Sequence, residues 1–331
     1  MDKNYRWGII GAGRIADKFC TAINFVQGSQ VYAIASRDEE KAKSYATKFG
    51  AANFYNNYDD LIQDENIDII YIALPHAFHF DTTMKCLSNK KAVLCEKPMS
   101  LSYAHTKKMI EAATENNVFL MEGMWTACMP FIDKIKSLIE KGIIGKLQYL
   151  SANFGFAAPA NSESRLYNKK LGGGSIVDVG IYPLFLSTLL FGTPTTIKSV
   201  SKVGDSGVDE YANVVLQYPG GETAHLLSSI CFNTDIEAEI IGTKGSIKIK
   251  NPWFKATDFS VKLKDGSVQN FSIPHLCNGF EHEIKEVMDC LDKGALQSEK
   301  MPHQRSMVLA GVMDEILQQA GVVYEQNAEK N

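Results

Sequence analysis

The first residues able to do recognisable chemistry are glycines. Gly11-Ala12-Gly13-Arg14-Ile15-Ala16 fits the pattern G-x-G-x-x-G/A. Alone the pattern is weak, because a glycine-rich turn without a nucleotide would read the same. Here it follows an apolar run, Arg6 to Ile10, and opens a helical pattern near 15–26. In that setting Gly11 permits the tight turn and Gly13 lets the backbone approach a pyrophosphate. Ala16 permits close helix–strand packing. The helix start offers free N–H groups and a positive dipole end to phosphates. Gly11, Ala12, Gly13, Arg14 and Ile15 are the expected cradle of a dinucleotide.

The second apolar run, Val31 to Ser36, leads into Ser36-Arg37. An acid at this place would bind the ribose 2′-hydroxyl of NAD. A hydroxyl and a guanidinium attract a 2′-phosphate, whereas a carboxylate repels it. NADP is therefore expected over NAD. Asp38 is the competing acid, but it reads better as the N-cap of a helix running to Phe49. The plain alternative for Arg37 is a solvated surface charge.

His76 and His79 follow Leu74-Pro75, just past the apolar run Ile67 to Leu74. In an open α/β sheet the ligand crevice lies there. Their i, i+3 spacing would suit a metal, but no third ligand is evident, so no metal is expected. His79 also has a structural alternative as a cap for the next helix.

The elements that must hold these residues alternate. Strand-like runs at Arg6 to Ile10, Val31 to Ser36, Ile67 to Leu74, Ala92 to Cys95 and Val118 to Met121 are separated by helical patterns, including those near 79–90 and 100–117. This predicts an α/β, doubly wound parallel sheet over residues 1–125. The texture then changes. After a helix near 131–141, strands crowd together from Lys146 to Ile273, broken by Pro219-Gly220-Gly221, Gly242-Thr243-Lys244-Gly245 and Asp265-Gly266. Residues 126–331 are expected to form an α+β domain with a large, open-faced, mostly antiparallel sheet. One helix, 175–191, falls within it, and two more end the chain. The boundary leaves room for the last helix to pack on the first domain. An antiparallel sheet with helices on one face leaves an apolar face to bury, so a homodimer through that face is expected.

Composition bounds the function. With 331 residues, the chain is long enough for two domains and a large core. Lys plus Arg number 34 against 38 Asp plus Glu, so no basic excess exists to neutralise a nucleic acid. The start, MDKNYRWGIIGAG, lacks a signal-peptide pattern, and no window is expected to reach the ~18 uncharged apolar residues of a membrane span. The seven cysteines include no C-x-x-C, so a reduced, cytoplasmic protein is expected.

Longer motifs carry a resemblance. Beside GAGRIA stand Pro75-His76-Ala77-Phe78-His79, Cys95-Glu96-Lys97-Pro98, Met121-Glu122-Gly123-Met124-Trp125 and Asp178-Val179-Gly180-Ile181-Tyr182. Together they resemble the glucose–fructose oxidoreductase / inositol dehydrogenase (Gfo/Idh/MocA) family over nearly the whole chain. Within it the likeness is strongest to dimeric dihydrodiol dehydrogenases and NADP-dependent D-xylose 1-dehydrogenases. The resemblance implies a Rossmann domain followed by an open-faced sheet domain. Many members have Asp-x-x-x-His where this chain has Asp178 to Tyr182, and that departure turns the reading from inositol dehydrogenase toward members with Tyr.

What the resemblance implies chemically is hydride transfer between a nicotinamide and a carbohydrate or vicinal-diol carbon. The alkoxide formed must be protonated, or the alcohol deprotonated in reverse. Tyr182 is the candidate acid/base. A free tyrosine titrates near ~10, and a nearby ammonium, Lys97, would lower that. Asp178 lies one helical turn before Tyr182 and would bind a substrate hydroxyl or orient Lys97. Its structural alternative is a capping box, Ser175-x-x-Asp178. Pro98 is expected to follow a cis bond. By resemblance Glu96 and Lys97 also touch the cofactor, His76 sits near the nicotinamide, and Trp125 and Phe154 line the substrate pocket. Ordinary core packing is the alternative for these aromatics and for Phe156. Arg165 and Tyr167 are weaker candidates. The rivals in function are a non-catalytic dinucleotide sensor and a biliverdin reductase-like enzyme.

Overall fold

The computed structural model describes residues 4–324. These fall into two compact units. The first runs from the N-terminus to Ser100 and adds Ala104–Met129 and His275–Ser306. The second holds Leu101–Tyr103, Pro130–Pro274 and the chain from Met307 onward.

The first unit is built on six parallel strands: β1 (Tyr5–Ile10), β2 (Ser29–Ala35), β3 (Asn53–Tyr55), β4 (Ile69–Ile72), β5 (Ala92–Glu96) and β6 (Leu120–Gly123). Their order is β3-β2-β1-β4-β5-β6, the doubly wound order expected of a dinucleotide-binding fold. Every residue of β4, β5 and β6 is buried, as in a parallel sheet covered on both faces. On one face Ile10, Ile70, Ile72, Val93, Cys95, Met109 and Leu120 pack into one apolar cluster. Elsewhere in the unit Phe19 stacks on Tyr71 at 3.7 Å and meets Trp7 and Phe280 edge-on. Phe280 opens α8 (Phe280–Asp292), which packs on α1 (Arg14–Ile23).

Two elements leave no pattern in the sequence: β3 and α3 (Tyr58–Gln63). A three-residue edge strand and a six-residue helix are too short to show periodicity. Asn57 fixes α3 locally, its side chain accepting the Asp60 N–H at 2.9 Å. Asp38 caps α2 (Glu39–Phe49) as expected, accepting the Lys41 N–H at 3.1 Å.

The second unit carries an eight-stranded sheet: β7 (Leu147–Gly155), β8 (Thr196–Val203), β9 (Asp209–Gln217), β10 (Thr223–Ser229), β11 (Ala238–Gly242), β12 (Gly245–Ile249), β13 (Asp258–Leu263) and β14 (Val268–Ser272). The order is β14-β13-β12-β11-β7-β10-β9-β8, antiparallel except where β7 meets β10. One face buries Leu150, Ala152, Ala212, Val214, Leu216, Leu226 and Ile240. The other face is mixed rather than apolar. Val200 and Val215 are exposed, but β-pairing sets Val200 opposite Asn213 and Val215 between Lys198 and His225.

The helix expected over 175–191 has two parts. Ile176–Gly180 forms a π turn, which runs into α7 (Ile181–Phe191). The expectation that no window suits a membrane span is corrected here. The segment Lys169–Phe191 is long and apolar enough to cross a membrane even with Asp178 inside it, at mean hydropathy 1.6 in an 18-residue window. That window is 83% buried inside the protein, so its apolarity is accounted for by core packing.

Candidate active site

The glycine loop between β1 and α1 has the features a dinucleotide needs. Gly11 adopts φ +104, and a Cβ there would stand 2.5 Å from the Ala73 carbonyl oxygen. It is glycine for the sake of its own chain. Gly13 differs. A Cβ there would meet nothing within 4 Å, so no neighbour among the described residues demands its smallness. The open space beside it fits the close backbone approach of a pyrophosphate. No side chain caps α1, which leaves its first N–H groups for a ligand. Ala12 and Ala16 are buried, Ile15 is half-buried and Arg14 is exposed at the mouth of the loop. These residues fit the phosphates of a dinucleotide.

At the end of β2, Ser36 Oγ accepts the Asp38 N–H at 3.2 Å. Arg37 is exposed, with its guanidinium 5.6 Å from the Phe78 ring centroid. Phe78 belongs to the short turn His76–Phe78 after β4, so a cation–π contact spans the two loops. His76 is buried within that turn. His79 is completely buried, and it does not cap α4 (His79–Ser88). Its ring instead joins two loops, Nδ1 lying 2.8 Å from the Pro98 carbonyl and Nε2 2.9 Å from the Leu74 carbonyl.

Lys97 is held from its own motif. Glu96 Oε2 accepts the Lys97 N–H at 3.1 Å, and Glu96 Oε1 accepts the Tyr71 hydroxyl. The Lys97–Pro98 bond is cis. Glu122 accepts the Met99 N–H at 2.9 Å and so fixes the chain just beyond. At Gly123 a Cβ would come within 3.2 Å of the Cys95 carbonyl oxygen, so β6 lies tight against β5 here. Deeper in this unit, burial pushes the Glu283 carboxyl well above the usual carboxylate range, and Glu96 adds to the shift. Neither Glu283 oxygen has a hydrogen-bond partner among the described residues, which agrees with a neutral acid.

Trp125 belongs to the same unit, buried and stacked on Phe280 at 4.2 Å. His275, Glu281 and His282 bring ligand-type atoms within 4.8 Å of one another. The Glu281 carboxylate already accepts the N–H groups of Leu276, Cys277, Asn278 and Gly279, at 2.7 to 3.3 Å. It organises the chain entering α8, and His275 Nδ1 lies 3.2 Å from His282 Nε2.

The second unit holds the other candidates. Asp178 sits in the π turn and Tyr182 in the first turn of α7, both nearly buried. The capping box does not form. Ser175 is itself helical, at φ −71 and ψ −38, and makes no side-chain cap. Its hydroxyl donates instead to Asp209 Oδ2 at 2.6 Å. Asp178 pairs with Arg165, Nη1 to Oδ1 at 2.7 Å. Tyr182 lies against two aromatics, with ring centroids 5.5 Å from Phe154 and 5.1 Å from Phe254. Phe154 stacks on Phe254 at 4.4 Å, and Phe156 lies 6.4 Å from Phe154. Tyr167 is structural: buried, it donates its hydroxyl to the Ile230 carbonyl at 3.0 Å. Two of the three glycines before the turn, Gly173 and Gly174, serve the protein's own packing. Cβ atoms at Gly173 and Gly174 would come within 2.5 Å of the Leu166 carbonyl and of Asp209.

Sequence reasoning missed Asp209, Ser228 and Phe254. Phe254 sits in a turn after β12, and nothing near it in sequence marks a neighbour of Tyr182. Asp209 begins a strand, and only the failure of Ser175 to cap the turn points to it.

Residues 5–124 match the model of the oxidoreductase family with an NAD-binding Rossmann fold, and residues 132–248 match the GFO/IDH/MocA C-terminal domain. The chain is 35% identical to the trans-1,2-dihydrobenzene-1,2-diol dehydrogenase of Xenopus tropicalis, over 96% of this chain and 99% of that one.

The chain belongs to the Gfo/Idh/MocA family of oxidoreductases.

Solved structures share the fold. KijD10, a 3-ketoreductase from Actinomadura kijaniata in complex with NADP and TDP-benzene, superposes with a TM-score of 0.86 at 24% identity, covering 96% of this chain and 98% of that one. The aldose-aldose oxidoreductase of Caulobacter crescentus gives 0.88 at 23% identity, with the same coverage. As a Gfo/Idh/MocA oxidoreductase the chain has an NAD(P)-binding Rossmann domain.

Proposed function

We propose that this protein is an NADP-dependent oxidoreductase acting on a vicinal diol or carbohydrate. The observation that carries the reading is the conjunction of two motifs. Lys97 follows a strand end anchored by Glu96, and Tyr182 follows Asp178 by one turn against an aromatic wall. A fold that only sensed dinucleotides would need neither. When bound, the nicotinamide supplies or accepts the hydride. Tyr182 gives a proton to the substrate oxygen, or takes one in reverse. Lys97, as an ammonium, is assigned the role of electrostatic partner in that proton transfer. Asp178, held by Arg165, accepts a hydrogen bond from a second substrate hydroxyl. Phe154, Phe156, Phe254 and Trp125 offer flat apolar surfaces suited to a ring.

NADP is favoured by Ser36 and Arg37, because Asp38 is occupied as a helix cap. Gly11, Ala12, Gly13, Arg14 and Ile15 hold the phosphates. The loops of Leu74, Pro75, His76 and Glu96 hold the nicotinamide end, with His79 joining two of them. The diol reading is supported by the names of full-length relatives such as the Xenopus tropicalis dehydrogenase. A homodimer through the open face of the second sheet belongs to this reading, with Val200 and Val215 among its apolar contacts. A particle of about 37 kDa at every concentration in light scattering would contradict the dimer. Seven thiols, none in a disulfide, suit a reducing compartment such as the cytoplasm.

The test is a steady-state screen with NADP and with NAD against trans-1,2-dihydrobenzene-1,2-diol, aldoses, inositols and anhydrosugars. Turnover with NADP on a diol or sugar supports the proposal. Tight NADPH binding with no turnover on any of them contradicts it.

A further inference from the structure

Asp209 is a fully buried acid that the proposed chemistry does not use. It opens β9, yet its carboxylate sits at the start of the π turn. Oδ2 accepts the Ser175 hydroxyl at 2.6 Å and the Ile176 N–H at 2.7 Å. Ser175 Oγ also lies 3.0 Å from Ser228 Oγ on β10. Oδ1 has no hydrogen-bond partner among the described residues. Gly174 passes over this oxygen at φ +129, where a Cβ would stand 2.5 Å from Oδ1 and 2.8 Å from the Tyr324 hydroxyl. The chain is thus shaped around the carboxylate. Asp209 does from a strand what an N-cap does from the residue before a helix.

A π turn carries one residue more than an α turn and recurs at functional sites. If it relaxed to α geometry, the side chains after it would rotate by about 100° around the helix axis. Asp178 is inside the turn and Tyr182 immediately after it, so both depend on its staying wide. We propose that Asp209 is a positioning residue that fixes this π turn, and with it the direction of Tyr182 and Asp178. The proposal rests on the reading of Tyr182 as acid/base.

Burial pushes the Asp209 carboxyl up to about 6, against the pull of Ser175 and Ile176. Among the described residues the titratable side chain facing it is Tyr324. That hydroxyl donates to the Gly173 carbonyl at 2.6 Å, and burial, then the Asp209 charge, hold it well above its usual range. A proton taken by Oδ1 weakens Oδ2 as an acceptor. The acid limb of kcat is therefore expected near pH 6.

The experiment compares wild type, Asp209→Asn, Asp209→Ala, Ser175→Ala and Tyr182→Phe with NADP and the best substrate of the screen, from pH 5 to 9. Circular dichroism and NADPH affinity are measured alongside. Asp209→Asn is expected to keep its fold and NADPH affinity and to lose at least tenfold in kcat, with KM for the substrate changed less than threefold. Its acid limb near pH 6 disappears. Ser175→Ala loses about threefold and keeps the limb. Wild-type kcat in Asp209→Asn, or an unchanged limb, overturns the proposal. If neither Asp209 variant folds, Ser175→Ala decides, and wild-type kcat there overturns it. If Tyr182→Phe keeps wild-type kcat, the acid/base reading fails and this proposal falls with it. If Tyr182→Phe is inactive while Asp209→Asn is fully active, only the positioning role fails.

Discussion

Arg165 Nη1 lies 2.7 Å from Asp178 Oδ1, and the Asp178 side chain is only 9% exposed. A carboxylate so nearly buried needs a partner, and Arg165 reaches it from a loop that is itself half open to water. Replacing Arg165 by Ala is expected to lower kcat/KM about tenfold, roughly 1.4 kcal/mol of transition-state stabilisation. Arg165→Lys should recover part of this, since it restores charge but not the fork of donors. Steady-state kinetics of the two variants check the order.

Arg37 should govern cofactor choice. Arg37→Ala is expected to raise KM for NADP by about 10- to 100-fold, because a charge-assisted contact to the 2′-phosphate is lost. KM for NAD should change less than threefold. Equal effects on both cofactors would show that Arg37 serves only its contact with Phe78.

Gly11 and Gly13 should separate folding from binding. Gly11→Ala puts a methyl against the Ala73 carbonyl at a positive φ, and a loss of roughly 2–4 kcal/mol of stability is expected. Gly13→Ala meets no neighbour within 4 Å, so its stability should stay within about 0.5 kcal/mol of wild type. Its NADPH affinity should nevertheless fall at least tenfold. Thermal unfolding and fluorescence titration measure the two quantities.

Glu281 gives a pH signature. Burial alone would raise its carboxyl, but the N–H groups of Cys277 and Gly279, with His282, hold it below the usual carboxylate range. A lowered folded value means stability that is present above about pH 4.5 and lost as pH falls through that lower value. Glu281→Gln is therefore expected to melt well below wild type at pH 7 and to converge with it under acid conditions. A gap that stays constant from pH 7 to pH 3.5 would mean the carboxylate charge is not what holds residues 276–279.

The elements that repeat were legible in the sequence. Five of the six parallel strands follow from apolar runs, and the glycine loop from GAGRIA; the edge strand β3 does not. Asp38 was readable as a cap because capping is local. The failures share a cause in distance along the chain. Ser175-x-x-Asp178 has capping-box spacing, but Asp209, from another strand, takes the Ser175 hydroxyl and leaves Asp178 to Arg165. The long apolar stretch ending at Phe191 reads in the sequence as a helix over 175–191, with no membrane span expected. Hydropathy alone could not have told a core helix from a spanning one; burial does. The open sheet face was expected to be apolar, and β-pairing shows Lys198, His225 and Asn213 set among its valines.

The account's central claim is that Lys97 and Tyr182 carry the proton transfer that accompanies hydride transfer. The most direct measurement is kcat of Tyr182→Phe and Lys97→Met at saturating NADP and substrate, with folding verified by circular dichroism. The account predicts a loss of about 10²- to 10⁴-fold in each, the usual contribution of a positioned acid or base. NADPH affinity of Tyr182→Phe should remain within threefold of wild type. A folded Tyr182→Phe or Lys97→Met that turns over within threefold of the wild-type rate would contradict it.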